Sequence, residues 1–214
     1  MLNSLRGFPG SPELPPRSRI RPLKAGIEKT PFQREDTDPL SRDFARAKQR
    51  YAASAAQARQ TAAANLKPII GIEFHISDWN RRAQEAYHDQ WHTPEPTTDR
   101  FDWEQIFRRY RQPDQLEIAI WAFETRLCGL GLATTTSRAI KVEFIEGDPR
   151  ADCPLKGRRA LIMLEAAVCY GQARGRTEMR VQPINDRLRA LYVDKFKFSP
   201  VTPKGQQPYF HRPI

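Results

Sequence analysis

Between Leu116 and Phe198 the apolar residues come in short runs and stripes rather than singly. Leu116–Phe123 is apolar except for Glu117, the pattern of a central strand covered on both faces. Glu124-Thr125-Arg126 predicts a turn, after which Leu127–Ala133 returns antiparallel. Ile140–Glu146 reads as the next strand, with β-branched and aromatic residues between Lys141, Glu143 and Glu146. Leu161, Leu164 and Val168 recur at helical spacing, so Ala160–Arg174 predicts a helix that Gly175 stops. Met179–Val181 is a short strand candidate that runs on to Pro183-Ile184-Asn185. Asp186–Lys195, which carries Leu191 and Tyr192, predicts a last helix.

Upstream the pattern thins. Ile69–Phe74 is a strand candidate by β-branched content, opened by Pro68. Asp78–Asp89 and Phe101–Arg111 read as helices on either side of a loop, Thr93–Thr98. Ser41–Asn65 is rich in alanine, arginine and glutamine and lacks glycine and proline, with Asp38 as cap and Pro39 at the first position. Its large apolar residues are only Phe44, Tyr51 and, just beyond, Leu66, so residues 41–67 predict a surface or protruding helix that could meet a partner or a second copy through its alanines. Met1–Leu40 holds seven prolines, which exclude a helix or a central strand and predict a flexible arm. The expected fold is α/β, with an α+β arrangement: a mixed, mostly antiparallel sheet flanked by helices. Residues 1–40 form the arm, 41–67 the alanine-rich helix and 68–214 the main domain.

Charge narrows the partners. Lys and Arg number 35 against 25 Asp and Glu, a net +10, which favours nucleic acid, a phosphorylated cofactor or an acidic protein surface. Arg17, Arg19, Arg21 and Lys24 of the arm either touch such a partner or form a solvated tail. A 39% hydrophobic fraction suffices for a core, while a mean hydropathy of −0.68 requires the apolar residues to be concentrated in part of the chain. The three cysteines, Cys128, Cys153 and Cys169, are odd in number and predict reduced thiols. No apolar run reaches membrane-spanning length and no apolar leader opens the chain, so the expectation is a soluble, cytoplasmic protein without a membrane.

Several residues carry candidate chemistry. On the strand Ile140–Glu146, alternation puts Val142, Phe144 and Glu146 on one face and Lys141, Glu143 and Ile145 on the other. A partly desolvated carboxylate there can act as a general base, and an ion pair between Glu143 and a neighbouring cation is the plainer alternative. Pro154-Leu155-Lys156-Gly157-Arg158-Arg159-Ala160 sets a glycine and three cations where a helix begins, the make-up of an anion cradle. It has neither Walker nor GxGxxG spacing. Tyr192 could give a proton to a leaving thiolate or serve as an amphipathic core residue. His88 and His92 would share a helix face, with His75 or Glu85 as a third ligand, but no metal is expected; a role for His88 in an acceptor pocket, or plain surface, fits as well. Arg108-Arg109-Tyr110-Arg111 is either a phosphate-facing patch or solvated charge.

Taken in order, these elements resemble the Gcn5-related N-acetyltransferase (GNAT) superfamily over about Ile69–Phe198. Ile118–Ala133 is similar to the family's second and third strands, and Ile140–Glu146 to its fourth. Gly157–Ala167 is similar to its pyrophosphate loop and following helix, and Pro183-Ile184-Asn185, Leu191-Tyr192 and Phe198 to its ending. The usual loop is Gln/Arg-x-x-Gly-x-Gly/Ala; here Leu155, Arg158 and Ala160 occupy its defining positions and only Ala160 fits. Lys197-Phe198 stands where Gly-Phe is usual.

The resemblance implies acetyl-CoA as co-substrate, its pyrophosphate over Lys156, Gly157, Arg158, Arg159 and Ala160. It implies strands that splay to leave backbone N–H groups for the thioester carbonyl. It makes Glu143 or Glu146 the base, directly or through water, Tyr192 the acid that protonates the CoA thiolate, and Asn185 a holder of the pantetheine arm. The helices Asp78–Asp89 and Phe101–Arg111 would wall the acceptor, an amine on a protein, nucleic acid or polyamine. The alternative is a catalytically silent relative acting as a nucleic-acid-binding or assembly component, which the divergent loop, the basic arm and the residue 41–67 helix would suit.

Overall fold

A computed structural model of the chain describes residues 39–91, 100–205 and 207–214. Residues 1–38 of the expected arm, His92 and the Thr93–Thr98 loop lie outside them, while Pro39 and Leu40, expected in the arm, open the first helix. The elements run α1 (Pro39–Ile70), β1 (Phe74–Ser77), α2 (Arg81–Gln90), α3 (Trp103–Arg109), β2 (Gln115–Ala122), β3 (Arg126–Thr135), β4 (Ala139–Gly147), α4 (Arg159–Ala173), β5 (Glu178–Val181), α5 (Asp186–Ala190), a π-helical turn (Leu191–Lys195), β6 (Ser199–Val201) and β7 (Tyr209–Pro213). One seven-stranded sheet has the order β1-β2-β3-β4-β5-β7-β6. Every neighbouring pair is antiparallel except β4 and β5. The α/β expectation, with a mixed and mostly antiparallel sheet, holds.

Each face of the sheet carries its own core. On one, α1 and α4 cover Leu116, Ile118 and Ile120 of β2 together with Ile140 and Val142 of β4. On the other, α2 and α3 cover Ala119, Trp121, Leu127, Leu130 and Leu132. Alternation along β2 sends neighbours such as Ile118 and Ala119 to opposite cores, which is why the strand reads as continuously apolar. All four tryptophans of the chain lie in the second core. A buried indole N–H needs an acceptor, and each has one: Trp79 donates to the Ile118 carbonyl at 3.1 Å, Trp91 to that of Leu127 at 2.9 Å, Trp121 to Ser77 Oγ at 3.0 Å and Trp103 to Glu146 Oε2 at 2.6 Å.

Three expectations change. First, Ile69 and Ile70 end α1 instead of opening a strand, and β1 begins at Phe74. Pro68 sits inside the last turn of α1, and Gly71, at φ 66°, follows as the stop, its N–H bonding the Lys67 carbonyl at 3.3 Å. Second, the latter half of α1 is no surface helix. Ala55, Ala58, Ala62, Leu66 and Ile70, spaced three and four apart, are buried against the core, and α1 packs on α4. Small side chains let the two backbones approach, so a thin apolar stripe suffices. Only the first half stands out, with Phe44 62% exposed. Third, β6 and β7 were not expected. Prolines at 200, 203, 208 and 213 obscure them, yet β7 pairs along Glu178–Val181 and closes the β5 edge.

Candidate active site

The site arises where the parallel pair parts. β4 and β5 are matched over Ala139–Val142 and Glu178–Val181. β5 then ends, while β4 continues through Glu143–Gly147 with β3 on one side and, among the described residues, no strand on the other. A cleft of about 790 Å³ opens there. Ile145, Glu146 and Gly147 of β4 line it, with Gly157, Arg159 and Ala160 at the start of α4. Ile184, Asn185, Leu188 and Leu191 line the α5 side, with Arg187, Asp194 and Lys195, and Phe101 contributes from the α3 side.

The connection from β4 to α4 is built on a buried carboxylate. Asp148, 2% exposed, accepts from Arg126 Nε at 2.9 Å and from Arg150 N, Nε and Nη2 at 3.0, 2.8 and 2.9 Å. Burial by itself would raise this carboxyl, but the hydrogen bonds from Arg150 and Arg126 outweigh it and hold it below the usual carboxylate range. Two of the three free cysteines, Cys128 of β3 and Cys153 of the loop itself, are buried here. Cys153 is held below an ordinary thiol by its hydrogen bond with Cys128, against the opposing effect of burial and with help from the Leu155 amide and Arg159.

The predicted cradle is only partly assembled at the cleft. Gly157 adopts φ 80°, a left-handed conformation that glycine takes without strain, and no atom lies within 4 Å of where a Cβ would be. The amides of Arg159, Ala160 and Leu161, in the first turn of α4, have no hydrogen-bond acceptor among the described residues, and no side chain caps the helix. Arg159 Nη1 donates to the Asp148 carbonyl at 2.7 Å, and its guanidinium covers Gly147 where a Cβ would have to sit. Arg158 turns away: its Nη1 reaches the Ile70 carbonyl at 2.6 Å and ties the loop to the end of α1. Lys156 is exposed and does not line the cleft. Asn185 lines the cleft while capping α5, its side-chain oxygen accepting from the Leu188 amide at 2.9 Å.

The three expected catalytic residues are scattered. Glu143 does not line the cleft; it accepts from Thr134 Oγ1 at 2.8 Å and pairs with Lys141 Nζ at 2.9 Å. A bulge displaces it, since Val142 faces Ala133 and Phe144 faces the adjacent Leu132. Glu146 does line the cleft, but its oxygens accept from Arg100 Nε at 3.0 Å, the Phe101 amide at 3.2 Å and Trp103 Nε1 at 2.6 Å. Tyr192 is 6% exposed in the core beside Phe196 and Phe198 and is not among the cleft residues. Burial pushes its hydroxyl up to about 12.

Arg187, Asp194 and Lys195 escaped the sequence reading, although a signal was present. Positions 187, 188, 191, 194 and 195 follow helical spacing and define one face of the last helix. The histidines come to little. His88 lies 3.7 Å from Glu104, and His75 stacks on Trp121. Among the described residues no group of three or more His, Cys, Asp or Glu could hold a metal, and no helix is long and apolar enough to cross a membrane.

No family model matches the chain, and no curated protein does. Solved structures of acetyltransferases are similar to it at low identity. The ribosomal-protein-S18-alanine N-acetyltransferase of Escherichia coli is 16% identical at a TM-score of 0.44, covering 66% of this chain and 94% of its own. A PaiA N-acetyltransferase of Thermoplasma acidophilum, in complex with coenzyme A, is 13% identical at 0.46, covering 67% and 100%. A GNAT-family acetyltransferase of Staphylococcus aureus is 12% identical at 0.45, covering 66% and 99%. At such identities none carries an activity over to this chain.

Proposed function

We infer that the cleft binds an acyl-CoA and that the protein transfers its acyl group, acetyl in the simplest case, to an amine. The observation that carries this reading is the parting of β4 and β5 beyond Val142 and Val181, beside a glycine turn and the unpaired amides of α4. The lining changes character along the cleft. At α4, Gly157, the free amides and Arg159 suit a diphosphate. Toward α5, Ile145, Ile184, Leu188 and Leu191 suit a flexible, mostly apolar arm, whose amides would meet the open edge of β4.

In this proposal the β4 edge N–H groups polarise the thioester carbonyl. The amine must lose a proton before its lone pair can attack. The new C–N bond forms as the C–S bond breaks, and the leaving thiolate takes up the proton that the acylated nitrogen sheds. Glu146 is the remaining carboxylate of the original pair in the cleft, and with three donors on its oxygens it acts through a water molecule. Glu143 is assigned a positioning role through its pair with Lys141 at the bulge, and Tyr192 one in anchoring the Leu191–Lys195 turn.

A second reading, a protein that binds acyl-CoA or an anionic polymer without turnover, is favoured by the same three residues. Both glutamates are engaged and Tyr192 lies in the core.

Ala160→Glu tests the shared premise. A carboxylate in the first turn of α4 suits the helix dipole, so melting should shift by no more than about 2 °C. The same charge occupies the proposed diphosphate position, and acetyl-CoA affinity by titration calorimetry should fall about tenfold or more. Wild-type protein that fails to bind acetyl-CoA at millimolar concentration would overturn the proposal. Binding without transfer to any amine would leave the second reading.

A further inference from the structure

A second cavity, of about 570 Å³, lies between the middle of α1 and the connection from α3 into β2. It shares no lining residue with the cleft. Among the residues that line it is Arg59, on the inner face of α1 and only 9% exposed. Among the described residues Arg59 makes one hydrogen bond, from Nη1 to the Glu117 carbonyl at 3.2 Å, and no ion pair. Asp78 and Glu117 act on it from beyond ion-pair range. The Glu117 carboxylate is engaged elsewhere, accepting from the Trp79 amide at 3.3 Å and Gln115 Nε2 at 3.0 Å.

A guanidinium offers five N–H donors in a planar fork that matches a carboxylate, and the donors of Arg59 left unbonded face the cavity. Lys48 and Arg111 face the same cavity, and among the described residues neither is paired with a carboxylate. Three cations against Asp78 and Glu117 leave an excess of one positive charge. The α1 wall between Lys48 and Arg59 is made of the methyl groups of Ala52, Ala55 and Ala56.

We propose that this cavity is a binding site for a small aliphatic monocarboxylate, gripped by Arg59, with Lys48 and Arg111 beside it and its alkyl end against the α1 alanines. An excess of one charge matches a monoanion, whereas a phosphate dianion would meet Asp78 and Glu117 with charge to spare. The site is independent of the acyl-CoA proposal.

Thermal unfolding of the full chain tests it, with sodium butyrate as probe against sodium chloride at equal ionic strength. At ten times its Kd, butyrate should raise Tm by about 3–5 °C, and chloride should not. Arg59→Met, which keeps length and apolar stem, should melt no lower than wild type without butyrate and lose the butyrate response. Should Arg59→Met not fold, Arg111→Ala decides: at this exposed position it should leave Tm unchanged while weakening butyrate about threefold to tenfold. The proposal is overturned if butyrate shifts wild type no more than chloride does, or if either folded variant responds like wild type.

Discussion

The two faces of the sheet are held down by opposite means. On the α1–α4 face, close approach does most of the work: Ala55, Ala58 and Ala62 of α1 are buried, and Met163 of α4 lies 2.8 Å from where a Cβ on Gly131 would stand. On the α2–α3 face the helices are short, ten and seven residues, and the indoles of Trp79, Trp91 and Trp103 hydrogen-bond them and their flanking loops to the strands. Small residues let long helices share backbone contact, while large amphipathic rings let short helices be pinned by hydrogen bonds as well as by area. The first kind of face is sensitive to added volume and the second to lost volume.

The largest effect should come from Trp103→Ala. Trp103 is fully buried, packs against Trp79, Phe101, Phe107 and Phe144, and donates to Glu146. Truncation should cost about 3–5 kcal/mol in denaturant unfolding. A cost below about 1 kcal/mol would mean that the aromatic face is not pinned by its indoles. Ala62→Leu probes the other face by overfilling it. Ala62 is 0% exposed, and the longer side chain should cost about 1–3 kcal/mol; a stabilised variant would show a void beneath α1. The smallest effect belongs to Asn80→Ala, which removes the cap whose Oδ1 accepts from the Ala83 amide at 3.0 Å. About 1 kcal/mol is expected from chemical denaturation. A much larger loss would show that α2 depends on its cap more than on Trp79 and Trp91.

The central strands and α4 were legible because their patterns are local: a strand covered on both faces must be apolar throughout, and a covered helix must repeat every three to four residues. α1 was legible as a helix but not as a packed one. Alanine fits both a solvated surface and a tight contact, and only the presence of α4 tells the two apart. Ile69 and Ile70 show a similar limit, since β-branched residues at the end of a well-anchored helix follow the helix. β7 is short, preceded by Pro208 and ended by Pro213, and it pairs with the edge that β5 leaves.

At the site the division falls between residue type and direction. That a glycine and three cations precede a helix could be read from 156–160, and the free amides follow from the helix beginning there. Which cations face the cleft could not. Arg159 turns to the Asp148 carbonyl while its neighbour Arg158 turns to the end of α1, 88 residues away in sequence. Glu146 could be placed on a strand, yet its three donors come from residues 43 to 46 positions earlier. Arg59, on a helix that composition marks as exposed, is buried because α1 lies against the start of β2. The sequence by itself determined the central strands, α4 and the glycine- and cation-bearing turn before it, for these depend on neighbours within a few residues. Tertiary structure alone decided which charges are buried, paired or left facing a cavity, because that depends on what long-range packing brings beside them.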